Sequence, residues 1–326
     1  MDRRYTEDEL IAKLFAPLAG PAALGLMDDA ALLPPCVNPM VATVDALVAG
    51  VHFFPEDPAD SIAKKALRAN LSDLAAKGAE PIGFLLALAL PPDWTNQWLE
   101  AFAAGLAEDC KAFGCPLLGG DTVATPGPLT LSITALGEAA QGSFVGRSGA
   151  RPGDALYVSG TIGDAALGLR LRRDAALRAG LSPKARDYLL ERYLLPRPRL
   201  ALAPLLRTSA SAAMDVSDGL VGDLAKLARA SRVAARVTTR DIPLSEAARE
   251  AIAIDPTLFE LALTGGDDYE ILFCARGNAS EIERLASAAS APCVMIGEII
   301  AGDGETIFLD AQENIMKFNR LSFSHF

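Results

Sequence analysis

The sequence is poor in the residues that most metal and acid–base sites use. It has two histidines, His52 and His325, and five cysteines with no C-x-x-C pair, in 326 residues. The shortage of histidine leaves little room for a catalytic triad or a histidine-rich metal site. The cysteine spacing predicts neither a zinc site nor a disulfide framework. Such cysteine usage is typical of the reducing cytoplasm, where we expect this protein.

Basic residues are outnumbered as well. The chain has 30 Lys+Arg against 41 Asp+Glu, a formal net charge of -11. A protein whose main task is to bind nucleic acid needs a basic surface, so we expect no nucleic-acid partner. The polar N-terminus lacks a signal-peptide pattern, and the longest apolar run, around residues 82–90, is too short to span a bilayer. We therefore expect a soluble protein without a membrane partner.

Several motifs of nucleotide and hydrolase chemistry are missing. The chain has no GxxxxGK[ST] phosphate-binding loop, no GxGxxG helix start, no protein-kinase HRD or DFG motif, and no GxSxG or HExxH. These absences exclude a P-loop NTPase and leave no motif of a protein kinase, a GxSxG hydrolase or an HExxH metalloprotease. A phosphorylated substrate would therefore have to be bound by other means.

Length and hydrophobic pattern predict two α/β (α+β) domains, at residues 1–146 and 147–326. With 51% hydrophobic residues the chain can bury sizeable cores. A capping box at Thr6 and Glu9 begins the first helix, and a Gly-, Pro- and Arg-rich segment at 142–154 has the turn chemistry of a hinge. Strand-like runs are predicted at residues 41–51, 82–90, 115–118, 129–136, 155–158, 234–237, 271–275 and 294–296, with helices at 60–78 (capped by Asp60) and 94–113.

Aspartates occur in segments that are otherwise apolar. Asp45 interrupts the strand-like run 41–48, Asp73 lies in an apolar helix, and Asp121 follows a buried-looking run that ends in two glycines. A carboxylate in such a place is costly unless something compensates it, and Mg²⁺ prefers a few carboxylates together with substrate phosphates. The same kind of placement recurs at Asp28-Asp29, Asp215, Asp218 and Asp267-Asp268.

Each aspartate alone also has an ordinary structural interpretation. Asp218 could cap the following helix, and Asp73 could pair with Lys77 one turn away. Their number favours function instead, because adjacent glycines let main-chain amides approach phosphate, and Ser217 adds a hydroxyl at a helix start. The residues alone predict a Mg²⁺-dependent enzyme that handles phosphate.

Seven blocks in a specific order extend this pattern over nearly the whole chain. They are GLMDDAA (25–31), TVD (43–45), GVHF (50–53), NLSDLAA (70–76), GGDT (119–122), DVSDGL (215–220) and GGDDYE (265–270). The set resembles the thiamine-monophosphate kinase family, within the ATP-binding superfamily of aminoimidazole ribonucleotide synthetase and selenophosphate synthetase. The resemblance implies that synthetase's two-domain fold, with an N-terminal domain that forms a homodimer through its sheet.

The resemblance also implies the reaction: ATP phosphorylates thiamine monophosphate, and ADP and thiamine diphosphate are formed with several Mg²⁺ ions as cofactors. The second pKa of a phosphate monoester is about 6, so the acceptor is already largely deprotonated at neutral pH and needs no general base. We therefore expect direct in-line transfer of the γ-phosphoryl group without a phosphoenzyme.

By the same resemblance, site residues are assigned from the family's motifs. The catalytic residues are Asp45, Asp73, Asp121 and Asp215. The metal ligands are Asp29, Thr43, Asp45, Asp73, Asp121, Asp215 and Asp218. The ATP contacts are Phe113, Gly120, Asp121, Arg147 and Ser217, and the substrate contacts are His52, Asp267 and Phe318, with Phe323 as the alternative aromatic. Three residues depart from the family, namely Met27 for glycine, Val44 for threonine and Asp267 for glutamate, but none removes a carboxylate.

Two other interpretations stay open. A sibling synthetase of the superfamily is the first; a selenophosphate synthetase would carry a reactive cysteine near a glycine-rich N-terminus, whereas Cys36 follows two prolines. A regulatory protein that binds ATP without turnover is the second, although the intact set of aspartates argues against it.

Overall fold

The computed structural model describes residues 3–35, 37–277 and 279–323. Cys36, His325 and the rest of the C-terminal Ser324 to Phe326 segment lie outside these residues. The chain separates into two compact units, one of residues 1–74 and 79–142 and the other of residues 75–78 and 143–326. The division at 142/143 falls in the glycine-rich segment, shortly before the boundary expected from the sequence.

The first unit contains a four-stranded sheet and two long helices. Its elements are α1 (Glu7–Leu10), β1 (Met40–Val48), α2 (Ala59–Ala76), β2 (Glu80–Leu90), α3 (Asn96–Phe113), β3 (Leu117–Ala124) and β4 (Thr130–Glu138). Hydrogen bonding places the strands in the order β1-β4-β2-β3, and β3 lies at one edge, parallel to β2.

The two long helices of this unit are joined by an ion pair with two hydrogen bonds. Arg68 on α2 donates from Nε and Nη2 to Asp109 on α3, at 2.7 and 2.8 Å. The predicted capping box of the first helix is confirmed, since Thr6 and Glu9 each bind the other's main-chain N–H. The expectation that Asp60 caps α2 is wrong, because the helix already begins at Ala59 and Asp60 lies within its first turn.

The two faces of the first sheet differ in burial. Leu86 and Leu88 on β2 are almost fully buried, whereas Leu85, which points to the opposite face of the same strand, is 40% exposed. On neighbouring strands of the same outer face, Val44 is 62% exposed and Val123 is 48% exposed. The alternation of the pleated strands therefore leaves three apolar side chains of the outer face open to solvent.

The second unit contains a six-stranded sheet with helices on both faces. Its strands are β5 (Ala155–Ser159), β6 (Ala210–Val216), β7 (Ala234–Thr238), β8 (Glu270–Ala275), β9 (Cys293–Ile300) and β10 (Thr306–Leu309), in the order β10-β7-β9-β5-β8-β6. Its helices are α4 (Asp164–Arg173), α5 (Ala175–Gly180), α6 (Pro183–Leu194), α7 (Ala203–Ser209), α8 (Leu220–Ser231), α9 (Glu246–Ile254), α10 (Leu258–Thr264) and α11 (Ala279–Ala288).

Side chains of β5 show how this sheet builds two cores. Leu156 and Val158 pack in one cluster with α8, and Tyr157 between them packs in the other with α7 and α11. A sheet with both faces covered by helices is the arrangement expected of an α/β domain. The predicted α/β class is confirmed.

The described cysteines are free thiols in buried or half-buried positions. Cys115, Cys274 and Cys293 are buried and Cys110 is half-buried. Burial raises the pKa of the Cys110 thiol to about 11 and that of Cys115 to about 12. None of the helices in the described part of the chain combines the length and the apolar character needed to cross a membrane.

Candidate active site

In the first unit, the predicted residues of β1 and α2 meet on the inner face of the sheet. The Thr43 hydroxyl donates to Oδ2 of Asp73 at 2.5 Å. Asp45 lies two residues along the same strand and therefore on the same face, in register with the buried Ile133 of β4. Three of the expected metal ligands thus share one face of the sheet.

A second group of predicted residues lines a cavity of about 330 Å³ beside the edge strand β3. Asp29, Gly120 and Asp121 all contribute to its wall, together with Asp28. Asp121 is in register with Ala87 on the outer face of the sheet, opposite to the face that carries Asp45. The first unit therefore places its expected metal ligands in two groups rather than in one.

The loop that leads to Asp28 and Asp29 turns through left-handed backbone at Leu24, Gly25 and Leu26, with φ of 52°, 69° and 57°. Met27, where the family has glycine, has a φ of -106°, which any residue adopts. Its replacement of glycine therefore imposes no backbone strain.

Val44 departs from the family without disturbing the inner group. Its side chain points to the outer face of β1, while Thr43 and Asp45 point to the inner face. Loss of the threonine hydroxyl at this position therefore removes no oxygen from the face on which Asp73 lies.

His52 and Phe113 have defined neighbours. The main-chain N–H of Val48 donates to Nδ1 of His52 at 3.0 Å. When Nδ1 accepts a hydrogen bond the ring proton is on Nε2, so His52 presents a donor. Phe113, the last residue of α3, has the guanidinium of Arg68 over its ring, with Cζ 5.7 Å from the centroid.

In the second unit, two glycine-containing segments lie against each other. The first is the turn 215–219 after β6, and the second is the segment 265–270 before and into β8, here called the acidic strap. A side chain at Gly266 would collide with the Ser217 carbonyl oxygen, and one at Gly219 would come within 2.6 Å of Thr264. The N–H of Asp267 donates to the Ser217 carbonyl at 2.8 Å. Predicted ATP and substrate contacts are thus neighbours.

Asp218 has two partners that the sequence analysis missed. Its carboxylate forms an ion pair with Lys226, whose Nζ also lies 2.8 Å from Oδ1 of Asp223. Asp223 is fully buried and accepts the main-chain N–H of Asp218 at 2.9 Å. Burial raises the pKa of the Asp223 carboxyl, while the Lys226 ammonium opposes the rise. The i, i+3 spacing of Asp223 and Lys226 on a helix was the available signal.

The alternative that Asp218 caps the following helix is wrong. Helix α8 begins at Leu220, and Gly219 occupies the N-cap position without a side-chain hydrogen bond. Asp215, at the end of β6, is 6% exposed. Arg147 is exposed, and its carbonyl accepts the Ser231 hydroxyl near the end of α8.

The two candidate C-terminal aromatics have different surroundings. Phe318 is partly buried and packs edge-on against Phe308, with centroids 5.2 Å apart, at the margin of a core cluster. The N–H of Phe323 donates to the Asp218 carbonyl at 3.0 Å, and the residue is 40% exposed. The main chain of Phe323 therefore lies at this turn, and its ring has the Arg320 guanidinium over it, with Cζ 5.7 Å from the centroid.

The residues that could hold Mg²⁺ supply oxygen atoms, which are the ligands that this ion prefers. Within residues 3–35, 37–277 and 279–323, no three His, Cys, Asp or Glu side chains form a group that could hold a metal ion. The metal cluster stays a prediction.

Comparison with known proteins defines the class first. Residues 27–139 match the family model for the N-terminal domain of AIR synthase related proteins, and residues 151–310 match the model for their C-terminal domain. The chain is a two-domain protein of the AIR synthase related class, as the sequence predicted.

The relatives narrow this class to one family. The thiamine-monophosphate kinase of Caulobacter vibrioides is 44% identical over 94% of this chain and 88% of its own length. The crystal structure of the Stenotrophomonas maltophilia enzyme of that name superposes with a TM-score of 0.80 at 43% identity, covering 86% of this chain and 89% of that one. AaThiL complexed with AMPPCP and TMP gives 0.77 at 29% identity, covering 98% and 94%. This chain belongs to the thiamine-monophosphate kinase family, and that prediction is confirmed.

Replacement of Lys226 by methionine tests the arrangement around Asp218. Lys226→Met leaves the buried Asp223 without its cation, and we expect a loss of about 1–3 kcal/mol in the free energy of unfolding. Asp223→Asn in the same chain removes the uncompensated charge and should recover most of the loss, as measured by urea unfolding. Equal stability of Lys226→Met and the unmodified protein would contradict the role given to this ion pair.

Proposed function

We propose that this protein phosphorylates thiamine monophosphate with ATP and releases thiamine diphosphate and ADP. The observation that carries the proposal is the approach of the turn 215–219 to the acidic strap, which makes Ser217, Asp218 and Asp267 neighbours. Family membership supports it, as does the similarity to AaThiL, which was solved with TMP and the ATP analogue AMPPCP.

Mg²⁺ fits the oxygen-rich residues of both units. Proteins usually hold this ion through one or two carboxylates and leave its remaining positions to water and substrate phosphates. When bound, Mg²⁺ would neutralise negative charge on the phosphates of ATP and of the acceptor. The residues proposed to hold Mg²⁺ ions are Asp29, Thr43, Asp45, Asp73 and Asp121 in the first unit, and Asp215 and Asp218 in the second.

The chain's own residues would bind and orient the two substrates for direct in-line transfer. The flexible, exposed side chain of Arg147 offers a guanidinium fork to phosphate oxygens of ATP. Gly120 and Ser217 offer main-chain and hydroxyl groups, and Phe113 a ring for the adenine. His52 would donate from Nε2 to the substrate rather than remove a proton, because the acceptor phosphate is already deprotonated. We propose that a homodimer in the cytoplasm is the working form.

The first test is chromatographic separation of thiamine products after incubation with ATP and Mg²⁺. We expect thiamine diphosphate from the monophosphate only, and none after chelation of the metal. Asp45→Asn should lower kcat by about 100-fold or more, because a carboxylate that offsets phosphate charge is lost. The control is Asp93→Asn, at an exposed position of the same unit, which should keep full activity.

One outcome of this assay would contradict the proposed function, and another would contradict the role given to Asp45. ATP binding without any thiamine product would favour a regulatory protein or a sibling synthetase. Near-normal turnover by Asp45→Asn would remove Asp45 from the reaction but leave the function standing.

Phe323 and Phe318 can be separated by substitution. Phe323→Ala should raise KM for thiamine monophosphate about tenfold, because the substrate would lose its proposed contact with this half-exposed ring. Phe318→Leu should lower the free energy of unfolding by about 1–2 kcal/mol and leave KM unchanged, because this ring packs on Phe308. The opposite pattern would return the substrate contact to Phe318.

The exposed face of the first sheet is the surface that we propose for the homodimer. Val44→Asp puts a charge among the exposed apolar residues of this face, on the edge strand β1, and we expect sedimentation to change from dimer to monomer. Ile254→Asp, at an exposed apolar residue of the second unit, should leave the assembly unchanged. A monomeric unmodified protein at micromolar concentration would contradict the proposal.

A further inference from the structure

The second unit contains a cluster of buried charges that the proposed reaction does not use. It is centred on the acidic strap, in which Asp268 and Glu270 are fully buried. Asp267 and Tyr269, the residues between and before them, are half-buried. Burying two carboxylates carries a large desolvation cost unless each is well paired, so their partners show how the strap is held.

Glu270 is held by two arginines and a serine. Its carboxylate accepts hydrogen bonds from Nε and Nη2 of Arg199 at 2.6 and 2.5 Å, from Nη2 of Arg192 at 3.2 Å, and from the Ser159 hydroxyl at 2.6 Å. Gly160 has a φ of +58°, and a side chain there would collide with this carboxylate. Because the Arg199 fork donates two parallel hydrogen bonds, it fixes the orientation of Glu270 as well as its position.

Asp268 is held by the start of helix α4. Its carboxylate accepts the main-chain N–H groups of Gly163 at 2.7 Å and Ala165 at 3.3 Å. A helix leaves its first N–H groups without intrahelical partners, and its dipole favours a negative charge at this end. Both inward-facing acids of the strap are therefore anchored in the body of the second unit.

These anchors fix an unusual main-chain conformation at the residue before Asp268 and at the residue that follows it. Asp267 and Tyr269 have φ of +74° and +52°, in the left-handed region that residues other than glycine adopt only when their surroundings enforce it. The N–H of each donates outward from the strap at 2.8 Å, Asp267 to the Ser217 carbonyl and Tyr269 to the Val216 carbonyl. The strap thus extends the pairing of β8 with β6 past the end of the sheet.

We propose that Asp268 and Glu270 are positioning residues that hold Asp267 in place for substrate binding. The inference rests on the proposed function, in which Asp267 contacts thiamine monophosphate. An ion network of this kind adds little stability over an apolar core of the same volume. In addition, Nη1 of Arg192 has no hydrogen-bond partner among the described residues. The presence of this buried charge cluster is therefore better explained by the geometry that it imposes on the strap than by a contribution to stability.

Two substitutions and a matched control test the proposal. Glu270→Gln and Asp268→Asn remove the charge and keep the size of each side chain. The control is Asp154→Asn, because Asp154 is equally buried in the same unit and accepts bonds from the Arg151 N–H at 2.8 Å, the Ser211 hydroxyl at 2.7 Å and Nε of Arg276 at 2.5 Å. It does not contact the strap through any of these bonds.

Hydrogen exchange and kinetics should distinguish the strap variants from the control. We expect exchange in peptides covering residues 265–270 to become at least about tenfold faster in Glu270→Gln and Asp268→Asn. KM for thiamine monophosphate should rise about tenfold while KM for ATP changes by less than about twofold. Asp154→Asn should lower the melting temperature comparably and change neither the exchange of these peptides nor either KM.

Unchanged exchange and unchanged KM in folded strap variants would overturn the proposal, and so would the same KM shift in Asp154→Asn. If Glu270→Gln does not fold, Arg199→Lys keeps the charge beside Glu270 but loses the fork, and the same readouts apply. An unmodified protein that makes no thiamine diphosphate would contradict the proposed function. The two failures are distinguishable, because hydrogen exchange in the strap shows whether Asp268 and Glu270 hold it even without activity.

Discussion

The close main-chain approach between the turn 215–219 and the acidic strap is the constraint on which the second unit's candidate site depends. Gly219 and Gly266 allow it, because a side chain at either position would strike the opposite segment. Once the segments touch, the N–H of Asp267 reaches the Ser217 carbonyl and helix α8 starts beside them. This approach brings Asp267 beside Ser217, and the N–H of Phe323 bonds the Asp218 carbonyl in the same turn.

In the first unit, the candidate site residues are placed by the alternation of side chains along the strands. Thr43 and Asp45 differ from Val44 in face because successive residues of a strand point in opposite directions. One short strand therefore presents polar groups toward helix α2 and an apolar residue toward solvent. The same alternation on β3 directs Asp121 to the outer face, where the loop with Asp28 and Asp29 forms a cavity beside it.

Much of the fold was predictable from local sequence, and there are physical reasons why two strands were not predicted. The Val- and Leu-rich runs of β1 and β2 were found because their residue types favour a pleated, half-buried surface. Strand β6 was missed because Ala-Ser-Ala-Ala has little β propensity, and its conformation depends on pairing with β8. Strand β10 was missed because it has four residues at the sheet edge.

The candidate site was predictable as a set of residues but not as an arrangement. Motifs identify Asp218 and Asp267, yet neither the bond from the Asp267 N–H to the Ser217 carbonyl nor the ion pair of Asp218 with Lys226 can be read from spacing alone. The contact of Phe318 with Phe308 likewise depends on tertiary packing that the sequence does not reveal, and the choice between Phe318 and Phe323 stays a prediction.

The start of helix α4 has a consequence for selectivity among anions. In many phosphate-binding folds a helix of this kind receives the ligand's phosphate at its amino end. Here the Asp268 carboxylate already occupies that end, fully shielded from water. The amino end of α4 is therefore not available to bind inorganic phosphate or unrelated phosphorylated metabolites. Its dipole stabilises a carboxylate of the protein instead of a dissolved anion.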